Sequence, residues 1–157
     1  VDWSGSMWEA MSGRSKRQRW EVATIFAASL AKSAEHGELV AYGSQYGAVD
    51  TRGPLLKIVE GAQNLGGTQT MQTLAATYRG HDRVLIVTDE QAHDAGTPTP
   101  DVPIYTFNVA GYAPAHLPSG SHGRYTFGGL TDACFRLVPI LEAQRDGHWP
   151  HLENWQG

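Results

Sequence analysis

The chain has little with which to staple itself together. Of its 157 residues one is a cysteine, Cys134, so an internal disulfide is excluded. No apolar run approaches the roughly 20 residues needed to span a bilayer, and no charged-then-apolar leader with a small-residue cleavage site occurs. The expectation is a soluble, cytoplasmic protein with no membrane role. Basic charge is also scarce: 12 Lys and Arg stand against 16 Asp and Glu, a formal net charge of −4. Nucleic-acid binding over a whole surface rests on neutralising phosphates with Lys and Arg, so that class is disfavoured. What remains is one local basic cluster, Arg14, Lys16, Arg17 and Arg19, read either as a phosphate-contacting patch or as a solvated loop and first turn. The seven histidines come with no cysteine pair and no helical His-Glu-x-x-His, which argues for surface residues over a zinc site.

What is present is a regular alternation of patterns. Val1-Asp2 reads as the end of a buried strand whose earlier residues are not in the sequence, so the first strand is expected to be truncated. Apolar residues at spacings of three and four, Trp20, Ala23, Phe26, Ala27, Leu30 and Ala34, predict a helix over 14–35 stopped by Gly37. Strands over 38–42 and 47–51 are placed as a hairpin. Shorter helices follow over 54–64, with Pro54 in the first turn, and over 69–78, with Met71, Leu74 and Ala75 inward. The continuous apolar run 83–88 has the pattern of a strand covered on both faces, and 104–109 and 124–127 are further strands. A closing helix over 131–145 turns Ala133, Cys134, Leu137 and Leu141 inward and should be kinked or divided at Pro139. The tail 147–157 has no period, so 1–146 is read as one domain with the tail frayed or docked on a partner.

Helical patterns alternating with buried strands indicate an α/β fold: an open, mostly parallel, doubly wound sheet with helices on both faces. In such sheets ligands bind beyond the carboxyl ends of the strands, where Asp2 and Asp89 both fall. Asp2, Ser4 and Ser6 alternate along five positions with Gly5 between them, a spacing that helix capping alone does not explain. Thr68 after Gly66-Gly67, and Asp89 after the run 83–88, would lie at the same edge. Two carboxylates and three hydroxyls suit Mg²⁺ or Mn²⁺, a hard cation that takes oxygen ligands, keeps some of its waters and usually takes one or two carboxylates. Glu90 is read as an outer-sphere ligand or a turn cap, Met7 and Trp8 as partner contacts or as packing under the loop, and Cys134 as core.

The residues Asp2-Trp3-Ser4-Gly5-Ser6-Met7, Gly66-Gly67-Thr68 and Thr88-Asp89-Glu90 resemble the metal-ion-dependent adhesion site (MIDAS) of the von Willebrand factor A (vWA) family. Within that family the chain looks most like the C-terminal A domain of TROVE proteins, the Ro ribonucleoprotein type. The resemblance implies that Ser4, Ser6 and Thr68 bind the ion directly, with Asp2 and Asp89 acting directly or through water. It implies a binding module that is not an enzyme, attached to a protein that binds small non-coding RNA through a separate upstream domain. The expected partner is a protein or RNA ligand offering a carboxylate or phosphate to the ion.

Two alternatives remain beside it. One is a vWA adaptor that partners an ATPase or chelatase and has no RNA role. The other is a Mg²⁺-dependent phosphatase of the haloacid-dehalogenase kind, which requires a second aspartate where this chain has Ser4. A serine hydrolase is excluded because Ser4-Gly5-Ser6-Met7 lacks the Gly-x-Ser-x-Gly elbow.

Overall fold

A computed structural model describes residues 1–89, 98–110 and 123–145. A 3-10 turn, Gly5–Trp8, precedes α1 (Arg19–Ser33), then β1 (Val40–Tyr42), β2 (Tyr46–Ala48), α2 (Leu55–Glu60) and α3 (Thr70–Thr77). After these come β3 (Val84–Thr88), β4 (Ile104–Asn108), β5 (Arg124–Gly128) and α4 (Asp132–Arg145). The result is a mixed α/β structure. β3, β4 and β5 form a parallel sheet in that order, in register from Val84, Ile104 and Arg124 onward. β1 and β2 form the expected antiparallel hairpin.

Residues 1–3 join the two sheets. Tyr42 N–H donates to Val1 O at 3.0 Å and Trp3 N–H to Tyr42 O at 2.8 Å, while on the other side Asp2 N–H donates to Val87 O at 2.9 Å. The short N-terminal stretch thus lies between β1 and β3, bonded to both.

Strand alternation sends successive side chains to opposite faces, and the core divides accordingly. Val87, Tyr105, Phe107 and Phe127 pack in one cluster with Ala23 and Ala28 of α1, Ile58 of α2 and Cys134 of α4. Ile86 and Ile104 go to a second cluster with Tyr42 and with Met71 and Leu74 of α3. Phe107 is fully buried and sits among Phe26, Phe127 and Phe135, with ring centroids 5.1, 5.2 and 5.6 Å away.

Several expectations are corrected. The helix expected over 14–35 begins at Arg19, because Gln18 caps it: Gln18 N–H donates to Glu21 Oε2 at 2.8 Å in a capping box. Residues 10–18 instead double back, with Met11 N–H donating to Arg17 O at 2.9 Å. On α3 the buried face is Thr70, Met71, Thr73 and Leu74, and Ala75 is exposed. β3 is covered on both faces only from Ile86 onward: Leu85 is 36% exposed and lines a cavity of about 800 Å³ bounded by α1, α3 and β1.

α4 runs unbroken through Pro139, which is on its exposed side. Its inward residues are Cys134, Phe135, Val138 and Leu141, whereas Ala133 and Leu137 face outward. The expected tail, Glu90 and all histidines except His36 and His81 lie outside the described residues. Among the described residues no helix is long and apolar enough to cross a membrane.

Candidate metal centre

Asp2 is wholly buried where the stretch between β1 and β3 ends. Its carboxylate is held at both oxygens: Ser4 N–H donates to Oδ1 at 2.8 Å, and Thr88 Oγ1–H donates to Oδ2 at 2.6 Å. Both donors are neutral, and no Lys, Arg or His side chain among the described residues lies in ion-pair range of Asp2. Burial therefore pushes the Asp2 carboxyl above its ordinary value of 3.8; the bonds from Thr88 and Ser4 oppose the rise and the charge of Asp89 adds to it. The same burial, with Asp2 as a negative neighbour, holds the Tyr42 phenol well above its usual range and so protonated.

The Ser4 and Ser6 hydroxyls lie 3.4 Å apart, Ser4 buried and Ser6 half-buried in the 3-10 turn that starts one residue after Ser4. Two backbone bonds draw the Gly66 loop against this turn: Gly5 N–H to Gly66 O at 2.6 Å and Leu65 N–H to Trp3 O at 2.8 Å. Gly66 adopts φ +81°, a left-handed conformation that favours glycine, and Gly43 packs so closely on Leu65 that a Cβ there would stand 2.5 Å from the Leu65 Cβ. The loop brings Thr68 to the same end of the fold in a buried position. Among the described residues no hydrogen bond joins the Thr68 hydroxyl to Asp2, Ser4, Ser6 or Asp89.

Asp89 follows β3 directly and is wholly buried. It faces a cation that the sequence reading did not place here. Arg19 Nη1 stands 3.4 Å from Asp89 Oδ2, 3.2 Å from the Ser6 carbonyl oxygen and 3.1 Å from Glu9 Oε2. Of the four-residue basic cluster, Arg19 alone is buried, while Arg14, Lys16 and Arg17 are exposed. The sequence did carry a signal. Arg19 precedes Ala23 by one helical repeat and so falls on the buried face of α1, and a positive charge in a first turn opposes the helix dipole unless an anion compensates it.

The donor set suits a hard divalent cation. The Asp2 carboxyl, with no Lys, Arg or His side chain in ion-pair range among the described residues, stands next to two serine hydroxyls and a second buried carboxylate, all hard oxygen donors. Among the described residues no group of three or more His, Cys, Asp or Glu converges. Met7 packs under the turn, fully buried, and Trp8 stacks on Trp20 with ring centroids 4.5 Å apart. Cys134 is buried core, 3.2 Å from Thr131 Oγ1.

In comparisons with known proteins the chain matches no family model, no curated protein and no solved structure.

Proposed function

We propose that the chain is a divalent-cation-dependent binding module. Asp2, Ser4, Ser6, Thr68 and Asp89 hold Mg²⁺ or Mn²⁺, and a carboxylate or phosphate of a partner completes the coordination. The observation that carries this reading is Asp2: a fully buried carboxylate with neutral donors on both oxygens and no side-chain cation in range among the described residues. Isolated buried anions are costly, and proteins neutralise them by pairing, protonation or metal binding. When bound, the ion supplies positive charge and an electrophilic position for a partner's oxygen. The chain's own residues set the geometry: Thr88 and the Ser4 amide fix the Asp2 rotamer, and the Gly66 loop closes over the serine turn.

The fold reading that accompanies this is an open, doubly wound vWA-type sheet in which residues 1–3 are the central strand. Their bonding to both neighbours and the division of the core between two faces support it. Attachment to a TROVE-type RNA-binding protein rests on the motifs Asp2–Met7, Gly66–Thr68 and Thr88–Glu90 alone. A recognition role is favoured over phosphatase chemistry of the haloacid-dehalogenase kind because Ser4 stands where those enzymes require a second aspartate.

The test is calorimetric titration of the chain with Mg²⁺ and Mn²⁺, beside a phosphatase assay on a generic phosphomonoester. The reading predicts stoichiometric binding that Ser4→Ala weakens, with no turnover. Absence of binding to the folded chain refutes it, and metal-dependent turnover abolished by Asp2→Ala moves the protein to the phosphatase class.

A further inference from the structure

The guanidinium of Arg19 occupies a singular position among the residues of the cation site. Nη1 touches two of the five: the Ser6 carbonyl at 3.2 Å and Asp89 Oδ2 at 3.4 Å. It reaches both from the first residue of α1, and its side chain is only 10% exposed. The same nitrogen also meets Glu9 at 3.1 Å, and the Glu9 side chain is 63% exposed, so the arginine already holds a second anionic partner on the solvent side. The backbone reinforces that arrangement, since Arg19 N–H donates to Glu9 O at 3.0 Å.

We propose that Arg19 is a built-in competitor for the divalent cation: it neutralises Asp89 when the site holds no ion and yields Asp89, while keeping Glu9, when the ion enters. The inference rests on the cation reading of the site and adds to it the residue that sets its affinity. Two like charges cannot share Asp89 at contact distance in a buried site without strong repulsion, because the local dielectric screens them poorly. An ion bound by Asp89 therefore either displaces the guanidinium or binds against its charge, and both lower the affinity relative to a site with no arginine. Glu9 makes displacement the cheaper course, since the guanidinium leaves one carboxylate without losing its other and is never buried unpaired. Arg19 is thus an affinity-setting residue that need not touch the ion.

The experiment compares Mn²⁺ affinity, by electron paramagnetic resonance of free and bound Mn²⁺, in the wild-type chain, Arg19→Met and Arg19→Lys. Arg19→Met removes the charge and keeps most of the apolar stem, and the expected result is binding about tenfold tighter than wild type. Arg19→Lys retains the charge and is expected to stay within about threefold of wild type. Equal or weaker binding by a folded Arg19→Met, with wild type still binding, overturns the competitor role and leaves the cation site standing. Binding by none of the three overturns the cation reading, and the competitor role with it.

A second measurement needs no variant. The Nε–Hε resonance of Arg19 in the wild-type chain is followed by NMR during Mg²⁺ titration. A shift that saturates with the ion supports displacement, whereas a resonance unchanged at full occupancy overturns it.

Discussion

Thr88 Oγ1 donates to Asp2 Oδ2 over 2.6 Å, joining the last residue of β3 to a carboxylate 86 positions earlier in the chain. Neither group is reachable by solvent. The bond does two things at once: it satisfies a buried carboxylate oxygen, and it locks the strand end beside the serine turn.

Replacing Thr88 with valine keeps the branched shape and removes the donor. A hydrogen bond to a charged group is worth roughly 1.5–3 kcal/mol, so Thr88→Val is expected to destabilise the chain by that amount. Urea unfolding at neutral pH measures it. A change within experimental error means that the bond contributes nothing net.

Asp2 makes the metal-free chain sensitive to pH in an unusual direction. Its folded-state carboxyl lies above the ordinary 3.8, so the folded state holds its proton more tightly than the unfolded state does. The associated stability is fully present below about 3.8 and is lost as pH rises through the raised folded value. Without divalent ions, Asp2→Asn is therefore expected to gain stability over wild type on going from acid to neutral pH. Unfolding midpoints of both chains in a chelator, followed across that window, supply the comparison; parallel curves contradict the burial argument.

The aromatic layer gives a prediction independent of the site. Phe107 is fully buried, packed against Phe26, Phe127 and Phe135, whereas Leu85 is 36% open beside the cavity. Phe107→Ala should cost about 3–5 kcal/mol. Leu85→Ala should cost roughly 1 kcal/mol or less, as partly exposed sites do. Denaturant unfolding ranks the two, and equal losses would contradict the core assignment.

The same contrast explains what the sequence could convey. Hydrophobic period and turn residues located the hairpin, β4, β5, α3 and α4 to within a few residues, because those signals are local, but began α1 five residues early and ended α2 four residues late. They misassigned Ala75, Ala133 and Leu137 as inward, since a helix of 8 or 14 residues buries whichever stripe its neighbours cover, and the neighbours are not written in its own period. Thr70 and Thr73 took the covered face of α3 although they are polar. Leu85 looked like core because its run is apolar throughout, while its exposure depends on β1, α1 and α3 around it.

Within the site, Asp2, Ser4 and Ser6 were legible as one turn because they are adjacent in sequence, and the structure joins them by hydrogen bonds. Thr68 arrives buried at the same end through the Gly66 loop, without a bond to the others. Arg19 was hidden inside a basic cluster whose other members are exposed. Its role depends on Asp89, 70 positions away, and no local pattern encodes that distance.

The most direct measurement of the central claim is the gain in stability that Mg²⁺ confers. Binding to the folded state alone at a free ion concentration about 100 times the dissociation constant stabilises a protein by about 2.7 kcal/mol. Urea unfolding of the wild-type chain in saturating Mg²⁺ against chelator is predicted to show a gain of that order, and Asp2→Asn to lose most of it. A wild-type chain whose unfolding is the same with and without Mg²⁺, or whose gain Asp2→Asn retains in full, contradicts the cation site.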